Sequence, residues 1–409
     1  MRVRSRGGAG SGVGALTNAL GGAGVEGPGG AELSDAAVFA SLGGIGFQHL
    51  MIGKGADARL AIDGLAAGLS LRPEVVALAV ARLGARSTLQ LRPDDDAAEA
   101  LLAQDTPPHE GRLIWLDRAS LPYDPLPRGY QRGICHLVGV VSVSADEVLL
   151  DDRSDRPLPL DPFRLRHTRS LCSIGGNPLL TVGPGVSRPV SVLAGDLLGA
   201  MASGVRAHLD APIGNRGILG IRELAARIRD PGHASSWRRC FGRGAALFHA
   251  HAALYRFVQE SAGPGLSRGI FAEAVADLGS ALDQPLLAEH AKRWRTIEAA
   301  WTDLAESALP SDTPALGRAR LILAERQARL HAEGLDSSDF LATSSEELVA
   351  IARGMESAFP IDARALAFRH AEIAAKLEAL AAAEADAGGE FLSLAPAPAP
   401  NGERRVKPR

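Results

Sequence analysis

Aromatic residues are scarce in this chain of 409 residues, at 4% Phe, Trp and Tyr. Its cores must therefore be filled by Leu, Val and Ala, which an apolar fraction of 46% can supply. Ala abundance favours helix, because Ala has the best intrinsic helical propensity. Cysteine is scarcer still, with three in all: Cys135, Cys172 and Cys240. Their wide spacing predicts neither a disulfide framework nor a zinc-finger pattern. Excess charge is also lacking, since the net charge is −3, and nucleic-acid binders are usually basic. No nucleic-acid partner is expected. There is no run of about 18 apolar residues, so no membrane span is expected. Arg2, Arg4 and Arg6 lead into Gly and Ala rather than an apolar core, which argues against a secretory signal. The expected location is cytoplasmic.

What is present divides the chain. Residues 1–190 mix short helices with strands, and residues from about 192 to 385 carry the 3.6-residue period of helices. Ser34 is placed to cap a short helix, with Gly43, Gly44 and Gly46 forming a tight loop after it. Asp94, Asp95 and Asp96 open another helix, where acidic groups meet the positive dipole end. Residues 112–116 read as a strand. Residues 137–143 and 147–151 read as two strands around a turn at Ala145 and Asp146. The expected later helices are 193–209, 220–229, 244–261, 267–282, 285–308, 315–333, 346–357 and 362–385. Trp294 and Trp301 lie seven apart on one helix face, which predicts burial between helices. From Gly388 the chain turns to Ala-Pro repeats and a basic end, the composition of a disordered tail.

The chemistry-bearing residues cluster in the first part. His136 begins an apolar strand, and the chain returns through Val148, Leu149 and Leu150 to Asp151 and Asp152. Side chains alternate across a strand, so only one of these acids can face His136. Cys135 adjoins His136 but points to the other face, as a small core residue. Cys172 has no evident base nearby. Cys240 stands beside Arg238 and Arg239, which would favour its thiolate. The Gly43-Gly44-Ile45-Gly46 loop could let backbone amides approach an acyl oxygen or a phosphate. It does not follow a strand in a dinucleotide-binding pattern. His249 and His251 are two apart on a helix and face different directions, and His233 and His290 add no ligand spacing. No metal and no cofactor are expected.

Three segments carry a family resemblance: residues 34–47 (SDAAVFASLGGIGF), residues 133–140 (GICHLVGV) and residues 149–153 (LLDDR). They resemble the N-terminal domain of butirosin-biosynthesis protein H, a papain-like acyltransferase family. Leu121-Pro122-Tyr123 is similar to a segment that follows the central strand there. Residues 263–271 (GPGLSRGIF), followed by Trp294 and Trp301, resemble a helical domain of unknown function that commonly follows it. The resemblance implies an α+β fold: a papain-like domain over 1–190 with a small antiparallel sheet, then an all-α part. That part comprises the helical domain over 191–310, a helical extension over 311–387 and the tail over 388–409.

The same resemblance implies a site. A nucleophile belongs at the start of the first helix, His136 is the base, and Asp152, preceding a turn at the strand's end, orients it. Gly43, Gly44, Gly46 and Tyr123 would line the substrate cleft. The family's nucleophile is a Cys, but the matching stretch, residues 10–20, has Ser11 and no Cys; Ser5 is the alternative within this Gly-rich stretch. A hydroxyl is far harder to ionise than a thiol. The implied function is an acyl- or aminoacyltransferase-like protein of natural-product or modified-peptide biosynthesis. It would move an acyl group from a carrier thioester to an amine, with the nucleophilic Cys lost. The alternatives are a non-catalytic relative that binds an acyl-carrier protein or peptide, and a thioester or amide hydrolase. The C-terminal helices would cover the cleft or provide a self-association surface for a homo-oligomer.

Overall fold

A computed structural model describes residues 12–68, 71–104, 107, 109–127, 135–357 and 359–395. The chain opens with α1 (Val13–Gly22) and α2 (Asp35–Ser41), the latter capped by Ser34, whose hydroxyl accepts from the Ala37 amide. Strands β1 (Ile45–Ile52) and β2 (Arg59–Leu65) form a two-stranded antiparallel sheet of their own. Then follow α3 (Pro73–Arg82), β3 (Ala85–Gln90), α4 (Asp95–Leu102), β4 (Gly111–Asp117), β5 (Cys135–Val143), β6 (Val148–Asp151), β7 (Leu158–Leu160), α5 (Pro162–Ser170) and β8 (Leu179–Gly185). Beyond Pro189 the elements are helices: α6 (Val190–Leu209), α7 (Gly217–Arg229), α8 (Trp237–Cys240), α9 (Ala245–Glu260), α10 (Arg268–Ala281), α11 (Pro285–Ala308), α12 (Pro314–Glu333), α13 (Ser338–Ser357) and α14 (Ala363–Leu394). The fold is mixed α+β.

Six strands form one antiparallel sheet in the order β3-β8-β4-β5-β6-β7. The expected pairing of β5 with β6 is present, with Gly139 opposite Asp151 and a bulge between Val140 and Ser142. The two-residue alternation of each strand separates two cores. Leu113, Trp115 and Leu137 point to one face, where they join Leu16 of α1 in the larger core. Ile114, Leu116, Val138 and Leu150 point to the other, where Leu165 of α5, Leu330 of α12 and Leu341 of α13 cover them. The sheet is therefore packed by helices on both faces.

The larger core runs without a break from Val13 to the last helix, so the β1–β2 hairpin and the helices share one interior. Glu384 of α14 is its polar centre, with none of its side chain exposed. It accepts from Arg268 Nε at 2.7 Å, His208 Nε2 at 2.7 Å and Trp301 Nε1 at 2.6 Å. Arg268 also donates to the carbonyls of Leu266 and Gly46, which ties α10 to β1. A buried charge is tolerated when paired and fully hydrogen-bonded, as here. Trp294 and Trp301 are both fully buried; Trp294 packs edge-on against Phe271 and Trp301 stacks on Phe47.

Two expectations are corrected. The tail does not begin at Gly388, because α14 continues to Leu394 and buries Ala387, Gly388 and Phe391 against the core. Residues 396–409 lie outside the described residues. The cysteines are not all unpaired: Cys135 and Cys172 form a disulfide with Cα atoms 5.3 Å apart, leaving Cys240 as a buried free thiol. The 37-residue separation hid the pairing from sequence. Helix α6 has the length and mean hydropathy of a membrane-crossing helix, but half of that apolar stretch is buried inside the structure. Leu193, Leu197, Leu198, Met201 and Val205 place that apolar surface in the core.

Candidate functional site

The candidate site sits at the end of the large sheet where β5 begins. His136 is the second residue of β5 and lies opposite Leu116 of β4. Leu150 points to the same face as Leu116, and Asp152, two residues further on, shares it. His136 Nε2 lies 2.6 Å from Asp152 Oδ1. Asp151 faces the other way, where Asn18 of α1 donates to its Oδ2 at 2.9 Å. Alternation thus divides the two acids between the faces and assigns Asp152 to the histidine.

Asp152 is held on both oxygens. Tyr123 Oη donates to Oδ2 at 3.0 Å, and Arg153 Nε donates to Oδ1 at 3.0 Å. Arg153 Nη1 continues to Asp124 at 2.8 Å. Burial by itself would raise the Asp152 pKa, but the adjacent Arg153 and His136 more than offset it and hold the carboxyl well below its ordinary range. Burial lowers the His136 pKa, against the pull of Asp152. A neutral imidazole facing a carboxylate must place its proton on Nε2, leaving the lone pair on Nδ1. That tautomer can accept a proton. Burial, followed by the Asp152 charge, raises the Tyr123 pKa well above its ordinary value, so its hydroxyl stays a donor.

A narrow cavity of about 80 Å³ lies at this end of the sheet, and its lining includes His136, Gly12, Val13, Arg118, Asp63 and Ser261. Gly12 and Val13 are the N-cap and first residue of α1, so the positive helix end meets the cavity. Asp63 on β2 accepts from Ser261 Oγ at 3.1 Å, and burial raises its pKa to about 6. The floor is therefore chemically mixed: a histidine, an easily protonated carboxyl, a serine and a guanidinium.

The expected site residues are only partly brought together. His136, Asp152 and Tyr123 form one hydrogen-bonded chain, with Tyr123 behind the histidine rather than on the cavity wall. Ser11 and Ser5 lie outside the described residues. Gly43, Gly44 and Gly46 do not line the cavity. They sit at the α2–β1 junction: Gly43 and Gly44 have φ of 98° and 74°, and a Cβ on Gly44 would meet Phe271 and Met201. Their lack of side chains permits close packing under α6 and α10. Gly46 lies within β1 rather than in a loop, and a Cβ there would collide with the Leu65 carbonyl of β2.

Cys135 points to the α1 face, and its Sγ is engaged with Cys172. The first residues of β4 and β5 on that face pack against α1, whereas the His136 side chain belongs to the opposite face. The histidine meets the helix terminus only by way of the cavity at the strand's end. Sequence reasoning missed Arg118, Arg153, Glu260, Asp63 and Ser261. Arg153 follows the paired acids directly and offered the one local signal; the others are gathered from distant elements. Among models of known protein families and among curated proteins, the chain finds no match.

Proposed function

We propose that the chain is an acyl- or aminoacyltransferase-like protein of papain-like build whose thiol nucleophile has been lost. The observation that carries the reading is the buried His136–Asp152 pair, at 2.6 Å, on a cavity that the N-terminus of α1 also lines. In that arrangement a nucleophile just before α1 would be favoured as an anion by the helix end, and His136 Nδ1 would take its proton. In this proposal Ser11 Oγ attacks the carbonyl carbon of a carrier thioester and its proton passes to His136. The C–S bond breaks and the thiol leaves with that proton. The acceptor amine then attacks the acyl-serine ester, giving the amide, and the proton it loses returns through His136 to Ser11 Oγ. With water as acceptor the same steps describe a hydrolase.

A second reading, a non-catalytic relative that binds a carrier-linked acyl group or a peptide, is supported by the sheet itself. His136 projects from the face opposite α1, behind a fully hydrogen-bonded Asp152. Intact-mass spectrometry after incubation with acyl-carrier thioesters separates the two. A covalent acyl adduct on Ser11, absent in Ser11→Ala and in His136→Ala, establishes the catalytic reading, and the product released, amide or free acid, tells transferase from hydrolase. Binding of the carrier with no adduct establishes the binding protein.

A further inference from the structure

Asp63 is an acid on the wall of the His136 cavity that takes no part in holding the histidine. It stands on β2 and is 7% exposed, with Leu65, Leu71 and Phe257 as apolar neighbours on the cavity wall. Ser261 Oγ donates to its Oδ1 at 3.1 Å, and the Leu65 amide donates to the same atom at 3.2 Å. Among the described residues Oδ2 has no side-chain donor and the carboxyl makes no ion pair. The turn after α9 builds this position. Gly263, Gly265, Leu266 and Ser267 all have left-handed φ, at 103°, 65°, 53° and 71°. For Leu266 and Ser267 that conformation is strained. The turn presses on β2, where a Cβ on Gly64 would collide with the Leu266 carbonyl. It also sets Ser267 Oγ 3.1 Å from Ser261 Oγ, so both hydroxyls are fixed beside Asp63.

A buried carboxylate is costly unless a cation or a full set of donors meets it. Asp63 has neither, and burial raises its pKa to about 6. The cations around it are engaged elsewhere. Arg118 and Arg256, which line the same cavity, bind Glu260 at 2.6 Å and 3.3 Å. Arg268, whose charge acts on Asp63, is bound to Glu384. His136, its pKa lowered by burial, adds no positive charge. A metal ion fits poorly, because it needs several ligands. Among the described residues no three of His, Cys, Asp and Glu come together. An alkylammonium needs one carboxylate, and its unbranched carbon chain suits a narrow cavity walled by Leu65, Leu71 and Phe257.

We infer that the His136 cavity binds a primary alkylammonium, whose nitrogen donates to Oδ2 of Asp63. The ligand supplies the cation that the protein withholds from this carboxylate, and its chain lies against Leu65, Leu71 and Phe257. In the acyl-transfer reading such an amine is the acceptor. The inference itself stands on the carboxylate and the cavity, and does not rest on that reading.

Calorimetric titration of the full chain with n-butylamine and with neutral n-butanol tests it, at about pH 7.5, where the amine is cationic. Wild-type protein is expected to bind the amine at least about ten-fold more tightly than the alcohol, the scale of one charge-assisted hydrogen bond. The preference should shrink as pH falls through about 6, where Asp63 takes up a proton while the amine stays charged. Asp63→Asn should abolish the preference with the thermal midpoint at or above wild type, since it removes a buried charge. Ala119→Phe, from a half-buried position on the cavity wall, should weaken binding of amine and alcohol alike. Absence of amine binding in the millimolar range, equal affinity for amine and alcohol, a preference undiminished at about pH 5, or one kept in folded Asp63→Asn overturns the inference. Should Asp63→Asn fail to fold, unchanged amine binding in Ala119→Phe overturns it instead. Turnover is not read, so these results are separate from those at Ser11.

Discussion

Tyr123 donates its hydroxyl to Oδ2 of Asp152, the oxygen that His136 leaves free. The imidazole, carboxylate and phenol therefore form one chain, and Asp152 is its hinge. Because Asp152 favours protonated His136 while burial opposes it, Asp152→Asn should lower the His136 pKa further. The imidazole titration followed by NMR measures this directly; an unchanged or raised value would contradict the pairing. Tyr123→Phe should leave the His136–Asp152 contact in place and cost about 1–3 kcal/mol, the scale for depriving a buried acceptor of a partner.

Glu384 gathers three donors from three helices in a site closed to solvent. Glu384→Ala leaves Arg268 charged and unpaired in the core. The expected loss is about 3–5 kcal/mol by urea unfolding. A loss under about 1 kcal/mol would mean that water reaches Arg268.

Trp294→Ala and Trp301→Ala should each cost about 3–5 kcal/mol, as for other fully buried aromatics. Trp301→Ala is expected to be the worse of the two, since its indole donates to the charged Glu384 whereas that of Trp294 donates to an imidazole. Chemical denaturation of both variants checks the order, and a smaller loss at Trp301 would refute it.

His251 and His370 stack with Nε2 atoms 3.2 Å apart beside Trp237. Burial lowers their pKa values to about 3 and about 4. Between about pH 6.5 and 4 the unfolded chain binds protons that these folded imidazoles refuse, so stability falls as pH falls. The slope is at most about 1.4 kcal/mol per pH unit for each histidine. Asp63, raised to about 6 by burial, acts the other way over its own window, gaining relative stability as pH falls from about 6 towards 3.8. The thermal midpoint against pH should flatten in the double variant His251→Phe, His370→Phe. An acid limb as steep as in wild type would assign the effect elsewhere.

The disulfide makes a simple count. Denatured, unreduced protein should show one reactive thiol, Cys240, and three after reduction. Closing a loop of this size is worth about 2–4 kcal/mol, so Cys172→Ser should lower stability by that order under oxidising conditions. Three thiols before reduction would show the pair to be open. Such bonds persist mainly in oxidising settings.

Much of the architecture was legible in local pattern. The α11 helix matches its expected span of 285–308, because Pro285 and Pro310 bracket an uninterrupted period. The β5–β6 pair, and the rule that only one of Asp151 and Asp152 can face His136, followed from alternation, a property of the strand alone; Asp152 itself was singled out by the resemblance. The β1–β2 hairpin was not legible, because Gly43, Gly44 and Gly46 read as a loop, while Gly43 and Gly44 are held by close packing under α6 and α10 and Gly46 by the backbone of β2. Strand β3, at the far edge of the sheet, and β8 beside it were missed as well: they pair with each other across about a hundred residues, a relation that no short-range pattern carries.

The sequence by itself determined the long helices, the β5–β6 pair and that His136 and an acid meet on adjoining strands, since these depend on periods of a few residues. Only the tertiary structure decided that Cys135 bonds Cys172, that Arg268 and Glu384 pair across 116 residues, and that Asp63 meets Ser261 on the wall of the His136 cavity. Those relations depend on how sheet faces and helices stack. Stacking is governed by the summed burial of side chains from distant segments, and no short stretch of sequence encodes that sum.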